Sequence, residues 1–219
     1  MIERNIYGTR DEWLKARGNT IGGSDAGCIL GLSPWKSNID LYYEKIGQSK
    51  SADLSDNPLV QYGIKAEPLI RELFKLDYPD LNVWYEENNL FVNDRFPWAH
   101  FSADGLLVDT NNGDAGILEI KTATVQSSIG AAKWKDDTLP SGYFCQVIHA
   151  MAIMEADFAI LRALIKYPRD GEPDRISIKD YRIDRAEVEE DIEYLMQKEK
   201  EFAECIRTQT EPPRILPSI

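Results

Sequence analysis

The spacing of apolar positions changes several times along the chain, and each change marks an element. Over 10–17, 24–30, 38–46 and 59–76 the apolar residues recur at helical spacing, with aromatics dense in the third segment and Pro68 expected to interrupt the fourth. Together they predict an N-terminal helical layer over about 10–76. From 82 to 121 the pattern shifts to short alternating or continuous runs, NVWYEENNLFV, WAHFSADGLLV and AGILEIKTA, with the turn signal Asn111-Asn112-Gly113-Asp114 between the last two. A three-stranded β-meander is predicted there. Pro140 to Met154 has the spacing of a helix, 157–167 and 176–183 that of strands, and about 185–207 that of an amphipathic helix. In this last helix Val188, Ile192, Leu195, Phe202 and Ile206 share a stripe, with acids early and Lys198, Lys200 and Arg207 late, as the helix dipole favours. This order predicts a single α/β domain over 1–219, its central mixed sheet flanked by helices and its αβ core spanning about 82–207. The tail EPPRILPSI is expected to be loosely held.

The chain has 219 residues, 43% of them hydrophobic, enough for a sizeable core. Cys28, Cys145 and Cys205 are widely separated and form no CxxC pair, which fits buried thiols in a reducing compartment and argues against zinc or an iron–sulfur cluster. No run approaches the roughly 18 apolar residues of a membrane span, and the charged start MIERNIYGTRDEW lacks an apolar signal region. A cytoplasmic protein without membrane contact is expected. The formal charge of −12 works against nucleic-acid binding, which draws on basic surface. Much of the acid, however, is concentrated in the run from Glu187 to Glu193 and around Asp53, Asp56, Asp77 and Asp80, so a basic channel can coexist with an acidic exterior.

The candidate chemistry lies on the hairpin. Glu119 stands two residues before Lys121, and side chains at i and i+2 of a strand project from the same face. The hairpin with Gly105–Asp109 then brings Asp104 beside them. Two carboxylates and the main-chain carbonyl of Ile120 would offer hard oxygen ligands to Mg²⁺, which keeps waters and takes phosphate oxygens as further ligands. Lys121 can hold the attacking water or neutralise developing charge, so the reaction class indicated is phosphodiester hydrolysis. An acid two before a lysine arises by chance roughly twice in a chain of this composition. A cross-strand ion pair, with Asp104 serving the Asp-Gly turn, accounts for the spacing equally well. The setting of Glu119 inside the apolar run Gly116-Ile-Leu-Glu-Ile120 favours the metal, because a carboxylate is costly to bury without a partner.

Further motifs extend the picture: Arg17-Gly-Asn-Thr-Ile-Gly-Gly-Ser24-Asp-Ala, Ile29-Leu-Gly-Leu-Ser-Pro-Trp35, Tyr62-Gly-Ile-Lys-Ala-Glu67-Pro, Ser102-Ala-Asp104-Gly, Leu118-Glu-Ile-Lys121-Thr and Tyr143-Phe-Cys-Gln146-Val. From about Trp13 to Met154 the chain resembles the YqaJ-type viral recombinase and phage lambda exonuclease family of the PD-(D/E)xK nuclease superfamily. The resemblance implies a restriction-endonuclease-like core and a 5′-to-3′ exonuclease that digests one strand of linear double-stranded DNA, leaving a 3′ single strand for a single-strand annealing protein. It implies Asp104, Glu119 and Lys121 as the catalytic core, Glu67 as a further metal ligand, Mg²⁺ as cofactor with Mn²⁺ able to substitute, and Arg17 and Ser24 as binders of the terminal 5′-phosphate. That last assignment is physically sensible: Gly22 and Gly23 permit close backbone approach, Ser24 would cap a helix, and Arg17 adds a bidentate charge. Tyr143 and Gln146, three apart on a helix, share a face that the family directs into the site, Gln146 to position the attacking water or a phosphate. A homo-oligomer, with a trimeric ring as precedent, and a phage or prophage origin in a bacterium are also implied. Tyr62 departs from the tryptophan common in the Gly-x-x-x-Glu segment.

Two other functions remain open at this point: an endonuclease on the same core, distinguished by cleavage of closed circular DNA, and a catalytically silent module that binds DNA or an annealing protein. Trp35, Trp98, His100 and His149 receive no role.

Overall fold

The protein is described as a computed structural model covering residues 1–136 and 138–215. Strand β1 (Ile2–Ile6) is followed by helices α1 (Arg10–Arg17), α2 (Gly23–Ile29), α3 (Asn38–Lys45) and α4 (Pro58–Asp77). Strands β2 (Leu81–Trp84), β3 (Asn89–Asn93), β4 (Gly105–Asp109) and β5 (Ala115–Thr124) come next. Helices α5 (Ser128–Ala132) and α6 (Ser141–Met154), strands β6 (Phe158–Arg169) and β7 (Glu172–Asp184) and helix α7 (Arg185–Thr208) complete the chain. Local chemistry sets several helix starts. Thr9 with Glu12 and Ser37 with Asp40 form capping boxes, while Asn57 caps α4 ahead of Pro58 at its first turn.

The main sheet has five strands in the order β2-β4-β5-β6-β7. All its pairs are antiparallel except β5–β6, which run parallel and are joined through α5 and α6. One face, carrying Ile117, Leu161 and Ala163, packs against α6 and α7. The other, carrying Leu107, Leu118 and Ile120, packs against Ala66, Ile70 and Phe74 of α4. Burial on both faces explains the nearly continuous apolar runs in β5 and β6. Arg162 is 2% exposed and holds α4 to β7 through Asp77 at 2.8 Å and Asp180 at 2.7 Å.

Several expectations are corrected. The stretch 82–121 is not a three-stranded meander, because β3 leaves the sheet to pair antiparallel with β1. The four N-terminal helices do not form one layer: α2 and α3 pack with Phe202 of α7, whereas α4 lies on the opposite face of the main sheet. Helix α4 runs through Pro68. Pro68 and Ile64, whose carbonyl loses its partner amide, are both exposed, so solvent can take the place of the missing bond. Cys28 and Cys145 are buried but Cys205 is only partly so. The tail is tied down as far as Ile215, since Asn38 Nδ2 donates to the Pro213 carbonyl at 2.8 Å and Asn38 Oδ1 accepts from Ile215 N at 3.1 Å; its residues 216–219 lie outside the described residues.

Gly116 lies where β5 passes Phe158. A Cβ there would stand 2.4 Å from Phe158 Cζ. Phe158 is fully buried and cannot swing away. Gly116→Ala is expected to lower unfolding stability by about 1–3 kcal/mol, with partial recovery in the Gly116→Ala/Phe158→Leu double variant; denaturant titration measures both.

Candidate active site

The register pairs Gly105 with Leu118, so Asp104 stands one step beyond the last β4–β5 pair and opposite Glu119. Its carboxylate takes over the ladder: Asp104 Oδ2 accepts from the Ile120 amide at 2.8 Å. Within a strand the N–H and C=O of one residue point to the same edge, so the Ile120 carbonyl also turns toward Asp104. Glu119 is 2% exposed. Its Oε1 accepts from Lys121 Nζ at 2.6 Å and from Gln146 Nε2 at 2.7 Å. The Tyr143 ring centroid lies 5.5 Å from the Lys121 ammonium. Tyr143 of α6 therefore reaches Lys121, and Gln146 reaches Glu119. From the other side, α4 contributes Glu67 and Arg71, which are paired with each other, and Arg71 Nε donates to the Asp104 carbonyl at 2.6 Å. The guanidinium is stacked 3.4 Å from the centre of the Tyr85 ring.

Carboxylates dominate the electrostatics. Burial pushes Glu119 up to about 7 against the pull of Lys121, and Asp104 and Glu67 add to the rise. Asp104 and Glu67 are also held above their ordinary range, each chiefly by burial. Burial opposes the charge on Lys121, but Glu119 and Asp104 outweigh it and keep the ammonium protonated beyond its usual range. Among the described residues neither Glu119 Oε2 nor Asp104 Oδ1 accepts a hydrogen bond from the protein. These free oxygens and the Ile120 carbonyl are a hard-ligand set suited to Mg²⁺. Among the described residues no three His, Cys, Asp or Glu side chains are grouped to hold a metal ion. A cation here would therefore depend on main chain, water and substrate as well, as Mg²⁺ commonly does. Glu67, expected as a ligand from the family pattern, has one oxygen occupied by Arg71.

Arg17 and the start of α2, which carries Ser24, connect to this centre through Gly22, Gly23 and Gln146. Gly27 and Gly142 let α2 and α6 touch backbone to backbone, a Cβ on Gly27 standing 3.1 Å from Gly142 Cα. The start of α2 consequently meets Gln146, whose Cγ would lie 3.0 Å from a Cβ on Gly23. Ser24 does not cap α2: the cap is Gly22, whose amide donates to Asp25 Oδ2 at 3.0 Å. Asp25 takes the capping role because it stands at the third helical position, where a carboxylate reaches back to the cap amide. Arg17 stacks on Trp13 at 4.5 Å and donates through Nε to His100 Nε2 at 3.1 Å.

Arg71, Tyr85 and His100 escaped the sequence reading. The i,i+4 spacing of Glu67 and Arg71 was available as a signal; nothing in the sequence marked His100 or Tyr85. Trp35 is 91% exposed and Trp98 is half-buried, with its indole nitrogen unpartnered among the described residues.

An acid opposite an acid-x-lysine on neighbouring strands of a mixed sheet defines a PD-(D/E)xK-type core. Residues 12–157 match the model of the YqaJ-like viral recombinase domain, and the chain belongs to that family. It is 28% identical over 166 residues to the uncharacterized protein YqaJ of Bacillus subtilis (strain 168), an alignment covering 74% of this chain. The chain spans about half the length of that relative, 49%. The fold is shared with an alkaline exonuclease of Laribacter hongkongensis at TM-score 0.59 and 18% identity, over 91% of this chain and 97% of the other. The same enzyme in complex with dAMP gives TM-score 0.60 and 20% identity over the same shares. A phage-related exonuclease of Haemophilus somnus 129PT gives TM-score 0.50 and 13% identity, over 87% and 96%. Among the described residues no helix is long and apolar enough to cross a membrane.

Glu119 binds its proton more tightly folded than unfolded. Its contribution to stability is therefore complete below its ordinary value of 4.5 and is lost as pH rises through about 7. Glu119→Gln removes this penalty. In chelator, the melting temperature of Glu119→Gln minus that of the native protein is expected to rise between pH 5 and pH 8; calorimetry showing a flat or falling difference would contradict the raised carboxyl.

Proposed function

We propose that this protein is a Mg²⁺-dependent 5′-to-3′ exonuclease that digests one strand of linear double-stranded DNA. The observation that carries the reading is the convergence of Asp104, Glu119 and Lys121, with Gln146 against Glu119 and unpartnered oxygens on both acids. Membership of a viral recombinase family and a fold shared with alkaline and phage-related exonucleases, one of them crystallised with dAMP, support a DNA substrate and the release of nucleotides.

Asp104, Glu119 and the Ile120 carbonyl would hold Mg²⁺, with Glu67 adding charge from α4; Mn²⁺ is expected to substitute. When bound, the ion supplies Lewis-acid activation of the scissile phosphate and of a water. Lys121 presents its ammonium beside Glu119, placed to orient the water and to stabilise charge developing on the phosphate. Gln146 fixes Glu119 in its rotamer and offers its amide to water or phosphate. Tyr143 walls the ammonium and favours its charge through the ring face. Arg17, whose Nη groups have no protein partner among the described residues, and Ser24 would take the terminal 5′-phosphate and so select the end and its polarity.

The 3′ single strand left behind would serve an annealing protein in recombination. A closed homo-oligomer, a trimer by family precedent, would keep an acidic chain on DNA by topology rather than by tight binding; a monomeric mass in light scattering at micromolar concentration would count against it.

Duplexes labelled at either end, digested with and without Mg²⁺, test activity, metal and polarity together. Digestion from 5′ ends that requires the ion is expected, and cleavage of closed circular DNA would instead indicate an endonuclease. Lys121→Ala is expected to slow digestion at least about a hundredfold while DNA binding in gel shift stays within a few fold.

A further inference from the structure

We infer that His100 is a positioning residue for Arg17, its imidazole gripping the guanidinium by Nε so that both Nη groups are presented to the terminal phosphate of the DNA. The inference rests on the proposal that Arg17 takes that phosphate.

The hydrogen-bond pattern assigns the tautomer. Arg17 Nε can only donate, so His100 Nε2, at 3.1 Å, is the acceptor and carries no proton. Thr20 Oγ1 gives its one proton to the Arg17 carbonyl at 2.7 Å, so it meets His100 Nδ1 at 2.8 Å as acceptor. The bonds close a circuit: Arg17 side chain to His100, His100 to Thr20, Thr20 back to the Arg17 main chain. Each donor and acceptor in it has one possible role, so the circuit has one direction.

The ring is also immobile. His100 is 2% exposed. Its amide donates to the Ile21 carbonyl at 2.8 Å, and its carbonyl accepts from His149 Nε2 at 2.9 Å. Burial, and next the Arg17 charge, lower its pKa to about 3, so the ring stays neutral and able to accept at neutral pH. Position 22 is fitted to this contact: a Cβ there would stand 2.8 Å from His100 Nε2 and 3.5 Å from Arg17 Nη2. Trp13 stacks against the guanidinium at 4.5 Å. Among the described residues the Nη groups bond to nothing in the protein, so this half-buried cation is held at its root and free at its tip. A long flexible side chain fixed this way loses less freedom when an anion arrives.

The test compares initial rates on one duplex bearing either a 5′-phosphate or a 5′-hydroxyl, for the native protein, Arg17→Ala, His100→Leu, His100→Gln and Thr20→Val, with melting temperatures alongside. The native protein is expected to prefer the phosphate and Arg17→Ala to lose that preference. His100→Leu is expected to lower the preference, the ratio of the two rates, roughly tenfold or more. His100→Gln, whose amide oxygen can occupy the Nε2 position, should restore part of it. Thr20→Val, which frees the ring to take the other tautomer, should give an intermediate loss and reports even if His100→Leu does not fold. Nitrogen chemical shifts of His100 read the tautomer directly, and a proton on Nε2 would overturn the inference whatever the kinetics. If Arg17→Ala abolishes the preference while folded His100→Leu and Thr20→Val keep it, positioning by His100 is overturned and the phosphate site stands. If the native protein shows no preference, the phosphate site itself falls, and the inferred role with it.

Discussion

The centre depends on a carboxylate that replaces a strand. Strand β4 begins at Gly105, and the next ladder position is filled by the side chain of Asp104, which accepts the Ile120 amide. That amide is in the middle of the sheet and would be expensive to leave unpaired. The same bond orients Asp104 and places it opposite Glu119 while leaving its second oxygen free. The Ile120 carbonyl, on the same strand edge as the amide, is turned toward Asp104 as well. Structural need and chemical availability are met by one interaction, and Asp104→Ala would remove both together.

The acidic character of the chain is compatible with this centre because its charges are unevenly placed. Glu187, Glu189, Glu190, Asp191 and Glu193 are all exposed on α7, whose apolar stripe is turned inward. Around the carboxylate cluster the cations are instead buried or half-buried. Lys121 lies against Glu119, Arg71 bridges Glu67 and the Asp104 carbonyl, and Arg17 is held by His100. A net charge of −12 describes mostly solvent-facing surface, whereas at the site Lys121 and Arg71 are each balanced by a carboxylate and Arg17 is, among the described residues, the cation without one, which suits it to the phosphate contact proposed for it.

What the sequence made legible was local. Apolar spacing located α1 to α4, α6 and α7, while the cap expected at Ser24 falls at Gly22 instead, and the run around Glu119 disclosed a buried carboxylate before any contact was known. The pairing of β1 with β3 was not legible, since IERNI has apolar residues only at its ends and finds its partner some ninety positions later. The short α5 carries little periodic signal. Glu199 falls on the apolar stripe of α7 between Leu195 and Phe202, and the partner that lets it be fully buried, His149 at 2.7 Å, lies fifty residues away. His100 was invisible for the same reason: its meaning lies in Arg17 and Thr20, about eighty residues away, and no spacing rule links them.

Glycines set the distance between the two parts of the site. Gly27 against Gly142 brings α2 onto α6, and Gly23 seats the start of α2 on Gln146, which in turn touches Glu119. Gly22 admits His100, which holds Arg17. From Glu119 to the proposed phosphate-binding arginine there is thus a continuous run of contacts through Gln146, the Gly22–Gly23 segment and His100. An enzyme that removes nucleotides from an end must keep the end group and the scissile bond at a constant separation, because an error of about 1 Å at the reacting atoms can cost a hundredfold in rate. Small residues at these contacts, rather than additional polar groups, are what make that separation short and rigid.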